Sequence, residues 1–253
     1  MKILAVLLCL AGPASAEGVP ILTYHRFDPV QAKATTIVTD AVFASQMDWL
    51  DAHHVRVAPL REVLTIAHGS PPTQPTVVIT ADDGWKTVYT DMYPIILRHR
   101  FPITLFINPP MIGQGSAYLT WPMIGEMVKS GLVDVQPHTL THPNFNVERQ
   151  KRDPAAYQAY LEHEIAGSRT EITQRLGLPA DLLAWPFGIH DPTLEAAARK
   201  AGYVAAFALG SRALLPGDPD MALPRYQIYD TDRDSRFGWI VEGHPRLKPK
   251  ATP

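Results

Sequence analysis

Val77-Val78-Ile79-Thr80-Ala81-Asp82-Asp83-Gly84 is the stretch from which the fold is read. Four successive β-branched residues favour a buried extended strand, and Asp-Asp-Gly has the chemistry of a tight turn, so this strand ends in two adjacent carboxylates. The same alternation continues outward in both directions. Upstream, Val19 to Tyr24 is an apolar run ending at His25, and Phe43 to His53 has helical spacing at Phe43, Met47 and Leu50, with Asp40 as the expected N-cap. Downstream, Trp85 to Arg98 reads as a helix split or kinked at Pro94, Ile103 to Ile107 as a strand, Met123 to Lys129 as a short helix and Leu132 to Gln136 as a strand. Tyr157 to Leu176 is the longest helix, stopped by Gly177, and Pro192 to Ala201 is another, closed by Gly202. Leu182 to Trp185, Tyr203 to Ala208 and Leu223 to Ile228 read as the remaining strands. Strands that are mostly followed by a helix or a long loop predict an α/β fold. The expected form is a distorted (β/α) barrel in a single domain, with parallel strands and catalytic loops at their C-terminal ends.

Composition narrows the function. The chain has 253 residues, with Lys+Arg 23 against Asp+Glu 25 and a net charge of -2, so it has no basic stripe and nucleic acid is excluded as a partner. Its 24 prolines exceed the roughly 13 expected for this length and signal many short elements. Lys2, the apolar run Ile3 to Ala11 and the small-residue site Ala14-Ser15-Ala16 have the layout of a secretory signal peptide cleaved after Ala16. That run is shorter than the ~18–20 residues that span a bilayer, so no transmembrane anchor is expected. Cys9, the one cysteine, falls inside it, leaving the mature chain without disulfides or thiolate ligands. The expected organisation is residues 1–16 as signal peptide, 17–230 as the catalytic domain and 231–253 as a polar C-terminal tail, in an exported, periplasmic or extracellular protein. Oligomeric state leaves no mark in the sequence.

Four polar or aromatic groups fall just after predicted strands. Of the neighbouring carboxylates Asp82 and Asp83, one can bind a cation while the other faces water or substrate, although the same residues also suit a plain helix-capping turn. His138-Thr139-Leu140-Thr141-His142, flanked by Pro137 and Pro143, can curl two imidazoles toward one ion, or leave two surface histidines. Trp185-Pro186-Phe187-Gly188 can wall a sugar ring, or pack its aromatics in the core. His25, at the end of the first strand, suits a proton donor or a structural histidine equally.

Taken in order, Thr80-Ala81-Asp82-Asp83-Gly84, the His138 to His142 segment and Trp185-Pro186-Phe187-Gly188 resemble the three leading motifs of the polysaccharide deacetylases of the NodB-homology group. Thr23-Tyr24-His25-Arg26, Asp83-Gly84-Trp85 and Leu223-Pro224-Arg225 are similar to the branch acting on poly-N-acetylglucosamine, and the likeness spans about residues 20 to 230. The resemblance implies that Asp83, His138 and His142 hold a divalent metal ion, zinc foremost, with cobalt, nickel or manganese also suited to such a set. It further implies that Asp82 is the general base activating the attacking water, that Thr139 steadies the histidine loop and that a protonated histidine serves the leaving amine. Trp185, Pro186, Phe187 and Arg225 would line the substrate site, and the partner would be an acetylated amino-sugar polysaccharide.

Three departures from the family pattern are visible. Ala81 stands where Phe is common, and Ala184 where many members carry an arginine that orients the base, so either Arg225 reaches in from the last strand or the base is untethered. The terminal Leu-x-His segment is not evident, which leaves His25, at a strand end, preferred over His244 as the acid. The rival classes are a glycoside hydrolase working through two separated carboxylates and a non-catalytic carbohydrate-binding or assembly protein with a degenerate site.

Overall fold

The structure, a computed structural model, describes residues 18–246. The expected signal peptide and Cys9 lie outside the described residues. The strands are β1 (Ile21–Tyr24), β2 (Arg26–Asp28), β3 (Ile37–Thr39), β4 (Arg56–Val57), β5 (Thr76–Asp82), β6 (Ile103–Ile107), β7 (Val133–Pro137), β8 (Leu182–Ala184), β9 (Ala205–Leu209) and β10 (Leu223–Gln227). The helices are α1 (Asp40–Ala52), α2 (Val63–Ala67), α3 (Tyr93–His99), α4 (Trp121–Lys129), α5 (Phe145–Gln150), α6 (Pro154–Leu176), α7 (Pro192–Lys200) and α8 (Asp234–Val241).

Seven strands lie in the order β7-β6-β5-β1-β10-β9-β8, with β4 added beside β5, and every pairing is parallel. Such strands, covered on both faces, read as continuous apolar runs, and β5 and β6 are buried along their whole length. β2 and β3 form a separate parallel pair. The sheet curls until its edges β7 and β8 face each other. Among the described residues no backbone ladder joins these edges, and the side chain of Gln136 bridges them instead. Its Oε1 accepts from Leu182 N (3.0 Å) and its Nε2 donates to Pro179 O (3.0 Å). The expected distorted barrel is therefore the one found, closed at its seam by a carboxamide.

Local signals set most boundaries. In α6, the Asp153 side chain accepts from Ala156 N, Pro154 opens the helix, and Gly177 takes the left-handed conformation (φ 66) that ends it. The helix expected from Trp85 and split at Pro94 is found as a wide π-helical turn, Val88–Met92, that runs directly into α3, with Pro94 in the first turn of α3. Asp40 lies in the first turn of α1, with Thr39 as N-cap, and the Thr39 hydroxyl bonds Asp230 (2.6 Å), not the helix. The stretch beyond Asp230, expected as a polar tail, carries α8, whose Phe237, Ile240 and Val241 are buried against the core. Its polar composition hid an amphipathic helix.

Gln136→Leu fills the same volume but strands the buried Leu182 N–H at the seam. The Leu182 N–H is fully buried and Pro179 is exposed, so the cost of one unpaired buried group, about 1–3 kcal/mol, is expected, read as a reduced urea midpoint with an unchanged slope.

Candidate metal centre and active site

The site forms where β5, β7 and β8 end. β5 delivers Asp82 into the barrel, and the chain then enters a left-handed turn at Asp83 (φ 72) and Gly84 (φ 74). Gly84 has the left-handed φ that favours glycine, and a Cβ there would press on Ile112 Cδ1 at 2.8 Å. The turn breaks strand alternation and brings Asp83 to the barrel mouth while Asp82 stays buried. Trp85 Nε1 donates to Asp83 Oδ2 (3.0 Å), which leaves Oδ1 free to face the histidines.

His138 and His142 lie on a loop that has no regular structure, as their flanking prolines led one to expect. His138 Nδ1 contacts the Ala184 carbonyl at 2.8 Å across the β7–β8 seam, and since a carbonyl only accepts, the proton is on Nδ1 and the Nε2 lone pair faces the mouth. His138 Nε2 is 3.7 Å and His142 Nε2 3.6 Å from Asp83 Oδ1, and the ligand atoms of the three residues all lie within 4.8 Å of one another. Burial, the largest influence on His138, pulls its pKa down to about 4 against the opposing charge of Asp82, so the ring is neutral near pH 7, the form that ligates metals. The two imidazoles and one Asp83 carboxylate oxygen, converging on one point, are a donor set that fits a small divalent cation.

The loop is held by residues that the sequence reading missed. Asn108 Nδ2 donates to the His138 carbonyl (2.5 Å) and the Thr139 carbonyl (3.2 Å), and Glu164 of α6 accepts from Thr141 N (2.8 Å) and Thr141 Oγ1 (2.7 Å). Thr139, expected to steady the loop, has a buried hydroxyl with no partner among the described residues, so its side chain does not do so. Asn108 follows β6 directly and could have been found by its place at a strand end. Glu164 sits mid-helix and carries no local signal.

Asp82 Oδ2 is 3.7 Å from His138 Nε2, beside the ligand set. Arg225 reaches it from β10, with Nη1 to Oδ1 at 2.9 Å and Nη2 to Oδ2 at 2.8 Å. Burial pushes the Asp82 carboxyl up, but the charges of Arg225 and His138, the Arg225 hydrogen bonds and the charge of His25 together bring it down to about 2. Asp82 is thus ionised and tethered. Arg225 was expected among the substrate contacts. At 1% exposure, with its fork closed on Asp82, it lies inside the barrel and meets no ligand.

The two histidines considered as acid are separated by strand alternation. Arg225 points inward, so its neighbour Tyr226 points outward, where its hydroxyl donates to the His244 carbonyl (2.9 Å). The His244 ring stacks on Trp239 at 3.9 Å, outside the barrel wall. His25 follows β1 two residues after Thr23, whose Oγ1 meets Thr80 Oγ1 inside the barrel (3.1 Å). His25 Nδ1 is buried with no partner among the described residues, on the side where its charge reaches Asp82.

With this geometry in place, comparison with known proteins is decisive: the profile of the polysaccharide deacetylase family matches residues 69–206, more than half of the chain. The chain belongs to the polysaccharide deacetylase family. Among curated relatives, the poly-beta-1,6-N-acetyl-D-glucosamine N-deacetylase of Staphylococcus aureus is 26% identical over 197 residues, covering 76% of this chain and 68% of that protein. Among solved structures, IcaB from Ammonifex degensii superposes with a TM-score of 0.76 at 25% identity, covering 90% of this chain and 99% of that one. The deacetylase PplD of Streptococcus pyogenes, solved with acetate, gives a TM-score of 0.77 at 21% identity over 87% and 96% of the two chains, a likeness of fold. His25 and Arg225 lie outside the range matched by the family profile.

In this deacetylase-family chain the expected sugar wall is smaller than its motif suggests. Trp185 is fully buried, its ring set against Phe145 and its Nε1 donating to the Met221 carbonyl, and Pro186 is buried beside it, so neither faces a ligand. Both lie just beyond β8, where the chain leaves the strand for the short turn Pro186–Gly188. Phe187, in the left-handed region (φ 57) and 57% exposed, is the member left at the mouth, with its ring 4.7 Å from that of His142. On the other side, Trp85 stacks on Tyr118 (4.7 Å) and lies under the Arg26 guanidinium (4.4 Å).

Asp83→Ala, His138→Ala and His142→Ala are each expected to lower the metal content of protein purified in zinc, measured by elemental analysis, and full stoichiometry in all three would refute the ligand set. Arg225→Met leaves the Asp82 charge buried without its partner and is expected to cost about 3–5 kcal/mol in urea unfolding.

Proposed function

We propose that this chain is a divalent-cation-dependent N-deacetylase of an amino-sugar polysaccharide of the poly-β-1,6-N-acetylglucosamine type. Zinc is the foremost ion, and the leader-like Lys2 to Ala16 directs the protein to the periplasm or outside the cell. The observation that carries the reading is the convergence of Asp83, His138 and His142 beside an arginine-held Asp82. The activity printed for the staphylococcal relative supports the substrate class.

The chemistry follows from the residues. An amide resists water because its carbonyl is a weak electrophile and its amine a poor leaving group. A divalent cation held by Asp83, His138 and His142 supplies Lewis acidity, acidifying water and polarising a carbonyl oxygen. Asp82, ionised and aimed by Arg225, takes the proton of the attacking water. His25, on the same inner side, delivers a proton to the departing nitrogen, so that the C–N bond breaks to give acetate and a free amine. Phe187 offers an apolar face to the sugar ring. A glycoside hydrolase works through two separated carboxylates and has no use for the histidine pair that converges on Asp83 here.

Acetate release from β-1,6-linked and β-1,4-linked N-acetylglucosamine oligomers, after chelation and after zinc is restored, tests the function. Activity on the β-1,6 polymer that is lost on chelation and regained with zinc is expected, and equal rates before and after chelation would overturn it. Asp82→Asn is expected to keep its metal and lose about 10²–10⁴-fold in turnover. His25→Ala is expected to do likewise while His244→Ala leaves turnover near that of the parent, and the reverse pattern would reassign the acid.

A further inference from the structure

We infer that Glu164 of α6 is the positioning residue that holds His142 in its ligating orientation, an inference that rests on the metal-site reading above. The two histidines share one loop but are fixed by different means. His138 has its Nδ1 at the Ala184 carbonyl, and its own carbonyl receives Asn108 Nδ2. His142 has no ring hydrogen bond to protein among the described residues; its Nε2 is 3.6 Å from Asp83 Oδ1, and its ring packs edge-on against those of His138 and Phe187, both at 4.7 Å between centroids.

What fixes His142 is the backbone before it. That backbone is strained, since Thr139 (φ 62) and His142 (φ 57) both adopt the left-handed conformation that side chains disfavour. Such a segment keeps one geometry only where its surroundings over-determine it. Glu164 does so with three bonds: its carboxylate accepts from Thr141 N (2.8 Å) and Thr141 Oγ1 (2.7 Å), and its carbonyl accepts from Leu140 N (3.0 Å). The carboxylate is buried and lies on the longest helix, so the grip is anchored in rigid structure. Glu164 touches neither ion nor substrate. Its effect is to keep the His142 Nε2 lone pair in register with Asp83 Oδ1, as outer partners do for metal ligands generally.

The test measures zinc affinity by competition with a chromogenic chelator, for the parent, Glu164→Gln, Thr141→Val and the double variant, alongside thermal unfolding of the metal-free proteins. Thr141 is exposed, so its substitution leaves folding intact and decides the matter even if Glu164→Gln folds poorly. Glu164→Gln is expected to weaken zinc binding by about 10–100-fold. Thr141→Val should weaken it less, and the double variant less than the product of the two, with turnover recovering at saturating zinc. Parent-like affinity in Thr141→Val and Glu164→Gln overturns the inference while leaving the metal site standing. A parent that binds no zinc overturns the metal-site reading itself, and this inference with it.

Discussion

The contact between His138 Nδ1 and the Ala184 carbonyl is made at the β7–β8 seam, where no backbone ladder joins the strands among the described residues. β7 and β8 are the two ends of the sheet, and what joins them is side-chain chemistry, the Gln136 carboxamide lower in the seam and the His138 imidazole at its mouth. The same bond has two consequences. It helps to close the fold, and it puts the imidazole proton on Nδ1, so that Nε2 faces Asp83 as an acceptor. Folding and ligand chemistry are therefore coupled at one atom pair, and a change that loosens the seam disturbs the site directly.

The second constraint is the arginine–aspartate pair at the barrel centre. A carboxylate taken from water strongly favours protonation, and a protonated Asp82 could not accept a proton from water. The two-pronged approach of Arg225 reverses that tendency, while Asp82 stays unligated beside the three candidate ligands. Family members that orient the base with an arginine two residues before the motif proline use β8 for it. Here β8 carries Ala184 in that place, and the arginine comes from β10, two strands away around the barrel. The carbonyl of Ala184 serves His138 instead.

Much of the fold was legible in local patterns. β6 was read to its ends and the C-cap of α6 at Gly177 from its glycine, while the strand-end rule singled out the two aspartates and the histidine pair and the family resemblance made Asp83, His138 and His142 one set. What was not legible depends on distance. β2, β3 and β4 are too short to show a period and exist by pairing with partners remote in sequence. Arg225 acts on a residue 143 positions away, so the sequence left two alternatives open that only three-dimensional proximity separates. Glu164 looks like any helical glutamate until the histidine loop is laid over it. Trp185 misled for a related reason, since an aromatic two residues from an exposed aromatic reads as platform, and only the left-handed turn at Phe187, just past β8, separates the exposed ring from the buried one.

The central claim is that three side chains from two separate loops meet at one cation beside an arginine-held aspartate. The most direct measurement is an anomalous difference map from crystals of the zinc-loaded protein collected on both sides of the zinc absorption edge. The account predicts one strong peak at about 2.0–2.2 Å from His138 Nε2, His142 Nε2 and an Asp83 oxygen, with Asp82 still paired to Arg225 and outside bonding distance. A peak ligated by Asp82 in place of Asp83, or no peak between the two histidines, would contradict it.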